Sequence, residues 1–208
     1  MISISFLKSK LNREDTIKKI NASNADFLHI DVMDGLFVPN THLNIEEIQK
    51  VLDLSNKKND LHLMVNDPLS YLKKLDDYKI EYITVHGEIN NMELIDYIKS
   101  SGRKAGIAIN PDTNINLIIS LLKDVDLVLL MSVEPGLGGQ KFIDISAKLK
   151  ELKNIRENYN YHFLIEVDGG INDETVKYVK DADILVSGSY ICLSDNYNEK
   201  INNLSKGG

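Results

Sequence analysis

Eight short apolar runs separated by longer amphipathic stretches constrain this sequence more than any other feature. The runs cover residues 2–6, 27–32, 61–65, 82–85, 105–109, 127–133, 163–167 and 184–186. β-Branched residues are common in them, as suits strands buried on both faces. The intervening stretches carry helical spacing. Ile45, Ile48, Val51 and Leu52 gather on one side, with Glu46, Glu47 and Lys50 on the other. Leu69, Leu72 and Leu75 recur every three residues after Pro68, a residue suited to a first helical turn. Leu94, Ile95 and Ile98 mark a helix that Gly102 ends. Thr16 and Ile20 lie in the first helix, and residues 112–122, 145–158, 173–179 and 197–204 supply four more. Eight strands alternating with eight helices predict a parallel α/β sheet. Open doubly wound sheets usually have fewer strands, so the chain is expected to close into a (β/α)8 barrel, with an open sheet as the alternative. Without a linker or low-complexity tract, residues 1–208 are read as one barrel domain.

Charge and composition exclude several partners. The net charge is −7, and only Arg13, Arg103 and Arg156 among the 24 basic residues are arginines. No basic stripe appears, so no nucleic-acid partner is expected. No apolar run reaches the roughly 18 residues of a membrane helix, so no membrane association is expected. The N-terminus lacks a basic segment before its apolar residues and does not read as a signal peptide. The single Cys192 rules out an internal disulfide and fits a reducing cytoplasm.

In a barrel, chemistry belongs at the C-terminal ends of the strands. The second predicted strand reads His29-Ile-Asp-Val-Met-Asp-Gly35, so His29, Asp31 and Met33 project to one side. A His and an Asp so placed can grip a divalent cation, or simply bond each other. In the third strand His62 and Met64 share a face, and His62 reads equally as a core histidine. Asp168 closes the seventh apolar run, where a buried charge is costly without a partner and a turn or cap aspartate is the plain alternative. Together these segments place two imidazoles and two carboxylates around one axis, a ligand set for a Zn-, Mn-, Fe- or Co-like ion. His86 is a further residue of the mouth outside that set, whereas His42 and His162 read as surface or strand-start residues. Three glycine-rich turns follow the last three strands: residues 134–140, 168–170 and 187–189. Backbone amides in such turns can approach an anion closely, so they form a candidate phosphate cradle.

These segments make the chain resemble the ribulose-phosphate 3-epimerase family. The resemblance is carried by His29-Ile-Asp-Val-Met-Asp-Gly-Leu-Phe-Val-Pro-Asn40, Asp60-Leu-His-Leu-Met-Val65, Gly106-Ile-Ala-Ile-Asn-Pro111, Met131-Ser-Val-Glu-Pro-Gly-Leu-Gly-Gly-Gln-Lys-Phe142 and Ile165-Glu-Val-Asp-Gly-Gly170 with Gly188-Ser189, and runs from about Ser5 to Tyr190. It implies a TIM barrel of the ribulose-phosphate-binding type with one divalent metal ion per subunit (Zn, Fe, Mn or Co). By position the ligands would be His29, Asp31, His62 and Asp168, with Asp31 and Asp168 also the two acid/base residues. Ser5, His62, Gly136, Leu137, Gly138, Gly139, Asp168, Gly169, Gly170, Gly188 and Ser189 would contact the sugar phosphate, and Met33, Met64 and Met131 would line the site. The implied reaction is inversion at C3 between D-ribulose 5-phosphate and D-xylulose 5-phosphate, in the pentose phosphate pathway, by a cytoplasmic homo-oligomer. The alternatives are an allulose-6-phosphate 3-epimerase and a non-catalytic sugar-phosphate-binding barrel. The chain departs from the family pattern at Ile4, 8–10, Asn44-Ile45, Leu137 and Lys180-Asp181, none of them a proposed ligand or base.

Overall fold

A computed structural model describes residues 1–89 and 92–206. Eight parallel strands form the barrel wall: β1 (Ile2–Ser5), β2 (Phe27–Asp34), β4 (Lys58–Met64), β5 (Tyr82–His86), β6 (Lys104–Ile109), β7 (Leu127–Met131), β8 (Leu164–Asp168) and β9 (Ile184–Ser187). β1 pairs with both β2 and β9, which closes the sheet and removes its edges. A two-residue strand, β3 (Thr41–His42), adds antiparallel to the end of β2 and was not expected from the sequence. The α-helices are α1 (Arg13–Asn21), α2 (Ile45–Leu54), α3 (Pro68–Leu72), α4 (Met92–Ser100), α5 (Ser146–Asn158), α6 (Ser189–Cys192) and α7 (Tyr197–Lys206). No helix among the described residues is long and apolar enough to cross a membrane.

Local chemistry explains where several helices begin. Asn12 accepts the Asp15 N–H at the start of α1. At α2, Asn44 and Glu47 form a reciprocal capping box. Such caps contribute about 1 kcal/mol each. The Asn44-Ile45 departure from the family pattern is therefore a well-capped helix start. Ile48, Val51 and Leu52 of α2 are buried, as their spacing predicts.

Two of the eight predicted helices are instead short 3-10 segments, at Ile115–Leu117 and Val176–Tyr178. Ile115, Ile118 and Leu121 are buried at intervals of three, as are Val176 and Val179. Three residues per turn is the 3-10 period, not the α period. The hydrogen bonds agree: Ile118 N–H donates to Ile115 O, Leu121 N–H to Ile118 O, and Val179 N–H to Val176 O. The Leu69, Leu72, Leu75 series behaves likewise, so α3 ends at Leu72 and the chain continues in bonds of the same kind.

Side chains pointing into the barrel stack in levels. Phe27, Tyr82, Leu127 and Ile184 form an apolar plug, with Leu164 against it. Above it the interior turns polar, with Ser3, His29, Asp60, His62, Thr84 and Glu166 all buried. The large aliphatic core lies between the strands and the helices. At the foot of the wall, aspartates just ahead of three strands bind the neighbouring strand: Asp26 accepts the Ile2 N–H at 2.7 Å, Asp126 the Ala105 N–H at 2.9 Å and Asp183 the Ile165 N–H at 2.7 Å. Each ties an otherwise orphaned strand-end amide to the next strand.

Gly106 admits the polar interior. A Cβ there would lie 2.3 Å from Thr84 Oγ1 and 3.2 Å from Thr84 Cα. Gly106→Ala is therefore expected to destabilise the fold by about 1–3 kcal/mol in urea unfolding. Adding Thr84→Ala should recover part of that loss. An additive double mutant would show that the two positions do not compete for space.

Candidate active site

Strand alternation turns His29, Asp31 and Met33 of β2, Asp60, His62 and Met64 of β4, and Glu166 and Asp168 of β8 inward. The register sets Asp31 opposite His62 and His29 opposite Asp60. One ligand atom each from His29, Asp31, His62 and Asp168 lies within 4.8 Å of the others. The four side chains singled out from sequence are thus together at the barrel mouth. His29 Nε2 and His62 Nδ1 each stand 3.4 Å from the same oxygen, Asp31 Oδ1. Both nitrogens are buried and lack a hydrogen-bond partner. Buried polar atoms left so are costly. Two imidazole nitrogens and a pair of carboxylates facing one point form an N/O donor set that suits a divalent transition ion or zinc.

The ligand cluster is braced from below. His29 Nδ1 lies 2.6 Å from Asp60 Oδ2, which also accepts from Ser3 Oγ at 2.9 Å. Ser5 Oγ donates to Asp31 Oδ2 at 2.7 Å. A carboxylate behind a histidine fixes which ring nitrogen faces the cation. Asp60 and Glu166 escaped the sequence reading as site residues. The signal was present, because Asp60 shares its strand face with His62, and Glu166 with Asp168.

Protonation differs across the cluster. Burial opposes the charge on Asp31, but the adjacent His29 and His62 imidazoles outweigh it and hold the pKa well below the carboxylate range. Burial and the Asp31 charge push Asp168 up to about 7. Burial and the Asp60 charge raise Glu166 well above its ordinary value. Burial lowers His62 to about 4, so its ring is neutral. Burial also opposes charge on His29, yet Asp60 and Asp31 raise its pKa well above the ordinary value.

A pocket opens directly above. Ser5, Asp31, Met33, Met64, Met131 and Asp168 line its floor and wall. Gly136, Leu137, Gly138, Gly139, Gly169, Gly170, Gly188 and Ser189 line the side formed by the three late loops. His29 and His62 lie beneath it, fully buried. Lys8, which the sequence reading did not assign to the site, is the only basic side chain lining the pocket among the described residues. The glycine turn after β8 is dictated by contact: a Cβ on Gly169 (φ 123°) would meet Val133 Cγ2 at 2.6 Å and Val133 N at 2.8 Å. Ser132 clamps the same turn, its hydroxyl donating to Gly169 O at 2.7 Å and lying 2.9 Å from Asp168 O. Asn40 Nδ2 donates to Gly136 O at 2.8 Å and ties the loop after β2 to the first glycine turn. His86 is fully buried beside His62, His42 is half-buried in β3, and His162 is exposed.

Comparison with known proteins agrees with this architecture. Among solved structures, a Mycobacterium tuberculosis tryptophan synthase superposes with a TM-score of 0.69 at 10% identity, covering 99% of this chain and 91% of that one. A 3-hexulose-6-phosphate synthase from Salmonella typhimurium superposes with a TM-score of 0.67 at 16% identity, covering 99% and 97%. At such identities the likeness speaks for the barrel fold alone. Sequence relatives are nearer. The ribulose-phosphate 3-epimerase of Helicobacter pylori is 42% identical over 176 residues, covering 82% of this chain and 81% of its own. That of Bacillus subtilis is 40% identical over 181 residues, covering 84% and 83%. A sequence model of the ribulose-phosphate 3 epimerase family matches residues 1–192. With this match over a closed barrel, the chain belongs to the ribulose-phosphate 3-epimerase family of carbohydrate isomerases.

Proposed function

We propose that this protein is a metal-dependent epimerase that interconverts D-ribulose 5-phosphate and D-xylulose 5-phosphate by moving a proton at C3. The observation that carries this reading is a pair of carboxylates with opposed protonation tendencies, Asp31 and Asp168, facing one pocket above two imidazole nitrogens that lack a hydrogen-bond partner. His29, Asp31, His62 and Asp168 would hold the divalent ion. When bound, such an ion supplies Lewis acidity that stabilises negative charge on the substrate's oxygens by several kcal/mol.

The C3–H bond neighbours the C2 carbonyl. An ionised Asp31 takes the C3 proton, the C–H electron pair forms a C2–C3 double bond, and the carbonyl becomes an enediolate oxygen. A protonated Asp168 returns a proton to C3 from the other face, and the electrons close the carbonyl again. The two residues come from β2 and β8, with β1 and β9 between those strands, so their carboxyls approach the pocket from different directions. In the reverse direction their roles exchange. Proton transfer by positioned carboxyls of this kind is worth roughly 10²–10⁴-fold in rate. Met33, Met64 and Met131 surround the pocket with polarizable groups that have no proton to exchange. The glycine turns and Ser189 offer backbone amides to the phosphate, which anchors the far end of the substrate and places C3 between the acids. We infer one catalytic domain over residues 1–208, working as a cytoplasmic homo-oligomer; the lone, buried Cys192 is in keeping with that compartment.

Asp31→Asn and Asp168→Asn should each keep a folded barrel by circular dichroism and lose turnover by at least about 10²-fold. Epimerisation by either variant at the wild-type rate would remove the two-acid scheme. Product formed in deuterated water should carry solvent deuterium at C3, and unlabelled product would require another route. Co2+ titration of chelator-treated protein should saturate at one ion per chain, and His29→Ala should weaken that binding. A protein that binds no divalent ion would remove the cation from the reading. The nearest rival substrate is D-allulose 6-phosphate. Turnover of the pentose phosphate should exceed that of the hexose phosphate, and the reverse order would reassign the substrate.

A further inference from the structure

Beneath the pocket, a chain of hydrogen bonds runs from His62 away from the substrate. His62 Nε2 lies 2.9 Å from Nε2 of His86, the last residue of β5, and the two rings stack with centroids 5.0 Å apart. His86 Nδ1 lies 3.1 Å from Glu88 Oε2. The other Glu88 oxygen accepts the Asn110 N–H at 2.9 Å and the Thr113 hydroxyl at 2.6 Å. Burial opposes charge on Glu88, but bonds from His86, Thr113 and Asn110 outweigh it and lower the pKa to about 2.

The direction of every proton in this chain follows from its outer end. An ionised carboxylate only accepts, so His86 Nδ1 carries a hydrogen and donates it. A ring with its one hydrogen on Nδ1 accepts at its other nitrogen, so at 2.9 Å His62 Nε2 donates to His86 Nε2. His62 is left with a bare lone pair on Nδ1, the atom 3.4 Å from Asp31 Oδ1. Either arrangement leaves one lone pair facing a carboxylate, and the geometry favours the hydrogen at the closer pair: His86 Nδ1 and Glu88 Oε2 make a hydrogen bond at 3.1 Å, whereas His62 Nδ1 and Asp31 Oδ1, 3.4 Å apart, make none. Asp60 acts directly on His29, and the His62 side achieves the same end through one intermediate ring.

We propose that Glu88, acting through His86, is a positioning residue that sets the His62 tautomer and so presents Nδ1 to a cation at the pocket floor. The proposal rests on the reading that the four-residue cluster holds a divalent ion. Its structural half concerns the cation-free protein alone.

Long-range proton–nitrogen correlation spectra of isotopically labelled, cation-free protein report which ring nitrogen of His62 bears the hydrogen. The wild type should show it on Nε2. In Glu88→Ala it should shift toward Nδ1, and Co2+ affinity, measured by competition with a chelator, should fall about 10–100-fold. A wild-type His62 protonated on Nδ1 would overturn the proposal even if the variant failed to fold. So would a Glu88→Ala protein that binds Co2+ as tightly as the wild type, or one that loses affinity with its His62 tautomer unchanged. Failure of the wild type to bind Co2+ would overturn the cation reading, while the tautomer measurement still decides the relay.

Discussion

Two imidazole nitrogens without a hydrogen-bond partner, held against one buried carboxylate, are the interaction on which this molecule is organised. At 3.4 Å, neither nitrogen makes a good hydrogen bond to Asp31 Oδ1. His29 is tied to Asp60 and His62 to His86 by their far nitrogens. The cluster is therefore pre-set in the fold, so a cation would complete it at little cost in rearrangement. Burying so many polar groups is unfavourable by itself. The layers around them offset it: an aliphatic shell outside the wall and an aromatic and aliphatic plug below.

The two ends of the barrel divide stability from chemistry. At the N-terminal face, Asp26, Asp126 and Asp183 bind strand amides. At the C-terminal face the loops are rich in glycine and hold one another by bonds such as Asn40 to Gly136 and Ser132 to Gly169. This division is characteristic of barrels, where loop variation at one face leaves the scaffold intact. It also explains why Leu137 can differ from the family pattern: it is exposed on the pocket rim and packs into no layer of the core.

Much of this was legible in one dimension. All eight barrel strands overlap the apolar runs, because the strand face turned toward the helices is apolar throughout. The helix reading failed where buried residues repeat every three positions, at Ile115, Ile118 and Leu121 and at Val176 and Val179. Short polar-interrupted segments cannot distinguish the two periods by spacing alone, and hydrogen bonds decide. Within the site, the residues closing apolar runs were visible as anomalies. Asp60 and Glu166 sat one alternation away from recognised residues and drew no attention as ligands or supports. The partnership of Glu88 with His86 was not visible either, since its other bonds reach Asn110 and Thr113, across the sheet and far along the chain.

The sequence by itself determined the alternation of buried strands and amphipathic stretches, and with it which side chains of each strand share a face. It also determined the kinds of atom available at the strand ends: two imidazoles, two carboxylates and a run of glycines. Only the tertiary structure decided that these meet at one point, because β2, β4 and β8 come together through closure of the sheet by β1. It decided, too, which nitrogen of each histidine faces inward and which carboxyl is readily protonated. Those properties depend on burial and on partners from other strands, and a linear chain carries neither.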